Sequence, residues 1–298
     1  MRTQNIRDFG MDTITLAGTL PTKLAAIAGA GFGQVMLSSR DLTGHAGGVD
    51  DAIAAVKASG LRATGFQVLR DFEGLSGHLH DYKVDIAKGM LEMCAALGST
   101  VLLACSSVSQ HASGDIDHIA RDLRKLALMA LPHGIRIAYE ALSWGRHVNE
   151  VQQTWDAVTR ADMPNLGIGI DSYHIFATKT PLEVLDEVDA RKIMLVQLAD
   201  FMWSEVRTPE ERMATARTFR VFPGEGVHTP ALTALVTKLD AIGYDGDYSF
   251  EVFNDDYQGM RPAVVAERAR VAAMWLAEDV LQRAVPLPQQ QRLRAVNG

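Results

Sequence analysis

Short runs of consecutive apolar residues recur along this chain, and each is followed by a stretch whose apolar residues fall at three- and four-residue spacing. A strand that is apolar at every position has to be covered on both faces, which is the requirement of a parallel sheet with helices packed against it. The runs are Asp12–Leu16, Gln34–Leu37, Ala63–Val68, Thr100–Cys105, Ile135–Tyr139, Leu166–Ile170, Ile193–Val196 and Tyr248–Phe250. The intervening segments Pro21–Gly29, Gly48–Ser59, Asp81–Leu97, Asp115–Leu131, Asn149–Arg160, Pro181–Val188 and Pro230–Ile242 read as helices. Gly60, Gly98, Gly134 and Gly243 stand where helices should stop, and Pro21, Pro181 and Pro230 where they should start.

Eight strands alternating with helices predict an α/β fold, a single-domain (β/α)8 barrel over residues 1–284. The chain has 298 residues, and such a barrel needs ~250. An open doubly wound sheet is the alternative arrangement of the same elements. The segment 201–226, with Pro209 and Pro223, reads as a long loop able to cover the barrel mouth, with a short helix over Glu210–Arg217. Residues 285–298, with Pro286, Pro288 and three consecutive glutamines, read as a mobile tail or an arm between copies.

Composition narrows the function classes. The net charge of −7 argues against a partner held by broad neutralisation of phosphates, so no nucleic acid is expected. No apolar stretch approaches the ~18 residues of a membrane span. Met1–Gly10 is polar and lacks the apolar core of a secretion signal, and Cys94 and Cys105, the two cysteines, fall in apolar segments and read as reduced and buried. These features predict a cytoplasmic protein.

The chemistry is concentrated at strand ends. Glu140, Asp171, Gln197 and Glu251 each follow one of the last four runs, and in a closed parallel barrel these positions converge at one mouth. Three carboxylates and an amide make a hard oxygen set suited to a divalent cation, Mg or Mn before Co or Zn. Singly, each carboxylate could equally cap the following helix. His174, three residues after Asp171, would stand beside the same pocket as a base for an α-proton. Arg70, Arg220 and the Arg146–His147 pair are candidates for an acidic substrate, although Arg70 could instead pair with Asp71 or Glu73. Trp144 offers a flat wall for a ring. His78 and His80 read as loop residues, with a strand-like ligand pair as the alternative. No phosphate-binding loop or nucleophile elbow is present.

The ordered set Glu140, Asp171 with His174, Gln197 and Glu251 resembles that of the xylose-isomerase-like TIM barrels. The resemblance spans about Thr13 to Leu276. Within that group, the strings over residues 66–74, 140–149, 197–200, 222–226 and 248–255 are most similar to 3-dehydroshikimate dehydratases. The resemblance implies a metal held by Glu140, Asp171, Gln197 and Glu251, and proton transfer by His174. It also implies a hydroxylated keto acid near Arg70 and Arg220, with His147 on a hydroxyl, and frequent assembly into homo-oligomers. An aldose–ketose isomerase or epimerase using the same cation is the second reading. A sugar-acid-binding barrel without activity is the third, and a zinc endonuclease is a fourth, disfavoured by the acidic charge. One departure stands out: residues 36–42 read Met-Leu-Ser-Ser-Arg-Asp-Leu, where the dehydratases carry a more acidic string. It leaves room for a substrate related to 3-dehydroshikimate.

Overall fold

The computed structural model describes residues 9–283. Strands are β1 (Phe9–Asp12), β2 (Gln34–Ser38), β3 (Arg62–Arg70), β4 (Val101–Cys105), β5 (Arg136–Glu140), β6 (Leu166–Asp171), β7 (Ile193–Leu198), β8 (Asp200–Phe201), β9 (Arg220–Val221) and β10 (Tyr248–Phe250). Helices are α1 (Leu20–Gly29), α2 (Ser39–Thr43), α3 (Gly48–Ala58), α4 (Gly77–Leu97), α5 (Ile116–Ala130), α6 (Val151–Ala161), α7 (Ser172–Thr178), α8 (Pro209–Thr218), α9 (Thr229–Ala241), α10 (Asp255–Gln258) and α11 (Pro262–Trp275).

Strands β1 to β7 and β10 close into a barrel in chain order, every neighbour parallel, with β10 between β7 and β1. Nearly every residue of these strands is buried, which is why the runs carry no polar alternation. Between barrel and helices lies an apolar layer that includes Phe9, Phe250 and Phe222. Phe250 stacks on Phe9 and meets Phe222 edge-on. Burial of one such ring stabilises the fold by roughly 1.5–3 kcal/mol. Helices α5 and α6 start on side-chain caps. The Asp115 carboxylate accepts from the Asp117 N–H, and Glu150 forms a capping box with Gln153.

The open-sheet alternative is excluded by closure, and the short helix expected at Glu210–Arg217 is present as α8. Other expectations need correcting. The first strand is Phe9–Asp12, and the Thr13–Thr15 stretch that looks like strand is a turn of 3-10 helix. Its apolar and β-branched character serves a different purpose. Thr13 Oγ1 accepts from the Ser38 N–H, while Thr15 Oγ1 donates to the Phe250 carbonyl and accepts from the Val252 N–H. The turn thus ties the end of β1 to both neighbouring strands and leaves Asp12 as its last residue. Pro181–Val188 is not an α-helix but 3-10 turns over Leu182–Glu187. The α-helix of that crossover is α7, begun by Asp171 accepting from the Tyr173 N–H. His78 and His80 lie on α4, which starts four residues earlier than expected. The segment 201–226 is ordered by α8, capped by Thr208 and Glu211, and by the antiparallel β8–β9 pair. The tail at 285–298 falls outside the described residues.

Gly167 shows how tightly β6 meets β7. A Cβ there would come within 2.1 Å of the Lys192 carbonyl oxygen. Gly167→Ala must therefore displace the start of β7, and a loss of about 1–3 kcal/mol of stability is expected in urea unfolding.

Candidate active site

The barrel register sets the site. Cys105 stands opposite Glu140 across β4 and β5, Asp171 opposite Gln197 across β6 and β7, and Gln197 opposite Ser249 across β7 and β10. Glu140, Asp171, Gln197 and Glu251 are all at most 5% exposed. Donor atoms of Glu140, Asp171 and His174 lie within 4.8 Å of one another. Above them opens a cavity of about 480 Å³, lined among others by Glu140, His174, Glu251, Arg70, Arg220 and Trp144. That volume suits a small-molecule ligand.

Asp12 is an acid of this cluster that the expected first strand, Asp12–Leu16, hides. It is fully buried beneath the cluster. Its Oδ2 accepts from Gln197 Nε2 at 2.5 Å and Gln67 Nε2 at 3.2 Å, and its Oδ1 from Ser249 Oγ at 2.5 Å. Because the Gln197 nitrogen is committed to Asp12, the amide oxygen is turned the other way. A first strand that ends at Asp12 rather than Leu16 makes Asp12 a further strand-end acid.

Two oxygens of this cluster, Glu140 Oε1 and Gln197 Oε1, are buried with no hydrogen-bond partner among the described residues. A buried unpaired acceptor is costly and calls for a ligand or ion to satisfy it. The other oxygen of Glu140 accepts from Cys105 Sγ at 3.1 Å. An oxygen-rich set with two orphaned acceptors fits a hard divalent cation. The residues present could hold one.

Charge in the cluster is unbalanced. Burial pushes Glu140 well above the usual carboxylate range, with Asp171 and Glu251 adding repulsion. Burial, then Glu251, does the same to Asp12. Burial raises Glu251 to about 7 although Arg220 opposes it. Arg220, 2% exposed, sits among these groups. Its Nη1 donates to Asp171 Oδ2 at 2.6 Å and Glu251 Oε2 at 3.1 Å. Burial alone would lower its pKa, but Asp171 and Glu251 raise it. Arg220 lines the cavity, yet its guanidinium is spent on the acids rather than extended to the mouth.

His174 is 5% exposed, and burial drives its pKa down to about 3, so it is a neutral imidazole. Its Nδ1 accepts from the Ser143 backbone N–H at 3.1 Å, while Nε2 lies 3.8 Å from Asp171 Oδ2. A nitrogen that accepts from a backbone N–H holds no hydrogen, so the ring hydrogen is on Nε2. To act first as a base, the ring would have to exchange this hydrogen and give up the Ser143 contact. His147 is set apart: it is exposed, bonds the Ala112 carbonyl at 3.0 Å, and does not line the cavity. Arg70 ends β3 and forms no ion pair with either acid close to it in sequence. Asp71 accepts from Val108 N–H at 2.8 Å, and buried Glu73 from Ser107 N–H at 2.5 Å and the Tyr139 hydroxyl at 3.0 Å. Both cysteines are free and buried.

The fold is a closed parallel barrel with a carboxylate cluster at the carboxyl ends of its strands, a group that could hold a metal ion. The pattern of the xylose isomerase-like TIM barrel family matches residues 24–278, and the chain belongs to that family. It is similar to the 3-dehydroshikimate dehydratase of Pseudomonas putida, 37% identical over 95% of this chain and 42% of that protein. A solved xylose isomerase-like TIM barrel/4-hydroxyphenylpyruvate dioxygenase fusion protein superposes with a TM-score of 0.85 at 34% identity, over 95% of this chain and 45% of that one. The chain thus spans less than half the length of these two relatives. The inosose isomerase of Bacillus subtilis is 28% identical over 76% of this chain and 77% of its own length. Among the described residues, no helix is long and apolar enough to cross a membrane.

Two outcomes follow from the cluster. Asp12→Asn frees the Gln197 amide to turn over, and affinity for Mn should fall by roughly 10–100-fold, as for other groups that orient metal ligands; titration calorimetry reads this directly. The raised carboxyls also set a pH dependence. A carboxyl whose folded pKa lies above its unfolded value stabilises the fold below the unfolded pKa, and that stability is lost as the pH rises through the folded pKa. Glu251 and Glu73 at about 7, with Glu140 and Asp12 also raised, outnumber His174, whose lowered pKa acts in the opposite sense; metal-stripped protein should therefore lose stability between about pH 5 and about pH 8, and added divalent cation should recover it at the upper end. A metal-free protein that grows more stable over this window would contradict the assignment.

Proposed function

We propose that this chain is the catalytic barrel of a divalent-cation-dependent lyase. Its substrate is 3-dehydroshikimate or a related hydroxylated keto acid, dehydrated to protocatechuate or its counterpart. The observation carrying this reading is the pair of orphaned oxygens on Glu140 and Gln197 beside Asp171, under a cavity whose open side bears arginines. The similarity to dehydratases over nearly the whole chain supports it.

Glu140, Asp171, Gln197 and Glu251 would hold the cation, Mg or Mn before Co or Zn. When bound, the cation supplies electrophilic stabilisation of negative charge on a substrate oxygen. The remaining work falls to the chain. Arg220 holds Asp171 and Glu251 in place and offsets part of their charge. Asp12 fixes which end of the Gln197 amide faces the cluster. Trp144 meets the His174 ring edge-on at 5.2 Å, closing one side of the pocket against water. The α-proton and the β-hydroxyl leave together as water; His174 is the wall group placed to take the α-proton once its ring hydrogen has moved from Nε2 to Nδ1 in exchange for the Ser143 contact. Arg70 faces the acidic end of the substrate. His147, outside the cavity, is left without a part in this scheme.

An inosose isomerase is the second reading, favoured by the Bacillus subtilis relative. It would use the same cluster and return the proton to carbon. The two are separated by stripping the protein of metal, restoring Mn or Mg, and supplying 3-dehydroshikimate or inosose in parallel. Protocatechuate formation that depends on metal supports the dehydratase; turnover of inosose alone would replace it. Glu140→Gln should lower the metal-dependent rate by at least roughly 10²–10³-fold with the unfolding midpoint little changed, and full activity in that variant would defeat the ligand set.

A further inference from the structure

The rim of the cavity carries a charge pattern that the acidic floor does not account for. Arg40 in α2, Arg70 at the end of β3 and Arg217 in α8 come from three separate elements, and all three line the cavity. Among the described residues, none of the three guanidiniums forms an ion pair or a hydrogen bond. The acids nearest them in sequence are committed elsewhere. Asp41 is held by Lys23 at 2.8 Å, and Asp71 and Glu73 are bonded to backbone N–H groups of the loop after β4. The three cations also feel one another. Burial lowers the Arg217 pKa, and the charges of Arg70 and Arg40 lower it further. Arg70 feels the Glu251 charge from across the cavity, but like charges gathered at one opening with no carboxylate bonded to them are an unfavourable arrangement that an incoming anion relieves.

The cavity therefore has two poles, with Glu140 and Glu251 on the floor and three guanidiniums at the opening. A ligand neutral throughout leaves the repulsion at the opening unanswered. A ligand with a carboxylate at one end answers it, and guanidinium forks match carboxylate geometry. Between the poles stands Trp144, with Arg217 5.8 Å from its ring centroid, so one flat wall runs from floor to rim. Arg220 stands apart from these three, with its Nη1 bonded to Asp171 and Glu251.

The geometry points to Arg40 and Arg217, acting with Arg70, as the residues that recognise a carboxylate on the substrate ring and exclude its neutral counterpart. The identity of the ring rests on the dehydratase reading; the carboxylate does not. Protocatechuate and catechol share a ring and two hydroxyls and differ by the carboxylate, and benzoate carries the carboxylate without the diol. Each is titrated calorimetrically into the Mg-loaded protein. Wild type should take protocatechuate at least roughly tenfold more tightly than catechol. Arg40→Met and Arg217→Met should each weaken protocatechuate and benzoate by roughly 10-fold or more and leave catechol within about twofold. Added salt should weaken the two anions but not catechol.

Both arginines are exposed, and an unchanged urea midpoint confirms that each variant is folded. Equal loss of all three ligands in the variants, or no loss of either anion, overturns the inference. So does wild type that binds neither anion. Arginine-dependent binding of benzoate by a protein that neither binds nor forms protocatechuate would sink the dehydratase reading and keep this one. Turnover of 3-dehydroshikimate with anion affinities indifferent to Arg40 and Arg217 would do the reverse.

Discussion

Four acids, Asp12, Glu140, Asp171 and Glu251, are buried within one end of one barrel, and much else in the structure answers to their mutual repulsion. In a medium of low polarity such a cluster persists only if charge is removed or balanced. The fold uses several means at once. Arg220 brings a permanent positive charge between Asp171 and Glu251. Ser249, Gln67 and Gln197 spend donors on Asp12, and Cys105 spends its thiol on Glu140. The raised proton affinities of Glu140 and Glu251 show that these means are incomplete. The shortfall is what suits the site to a divalent cation.

The positioning of these groups follows from strand register rather than from loop conformation. Glu140 and Asp171 are the last residues of their strands, Gln197 lies within β7, and Glu251 directly follows β10. Their backbones are fixed by the ladder bonds of the barrel, so the donor atoms are held before any ligand arrives. Loops supply the variable part. Arg40 and Arg217 stand on short helices at the mouth, where exchange of a side chain leaves the barrel untouched.

How much of this can be read from the chain differs by region. Strands β2 to β7 and β10 are legible because a short run of consecutive apolar residues between turn signals suits a strand covered on both faces. The four ligand candidates follow from the ends of those runs. The first strand is harder to place because Thr13, Ile14 and Thr15 have strand-like side chains, while the two threonines bond the ends of β2 and β10. That shift hides Asp12. The tautomer of His174 is out of reach as well, since it depends on the Ser143 N–H, 31 residues away in sequence. His147 resembles a site residue because it follows Glu140 closely, but the intervening turn carries it to the Ala112 carbonyl. Arg220 is visible as a cation near the mouth, and only the folded barrel shows it bonded to two acids.

Arg217 and Arg220 lie on the same short stretch, one facing the opening and the other bonded to the acids below. Arg217 is exposed near the end of α8; Arg220 begins β9, and Asn254 holds its carbonyl in turn. A change of length between them would alter the spacing of the two cations, because Arg220 is anchored to the acids. Divergence of this segment is therefore confined to substitution in place, whereas α2 carries Arg40 and none of the acids below. In descendants of this barrel, new ring substituents would be accommodated from the α2 side, with the α8–β9 stretch kept at constant length.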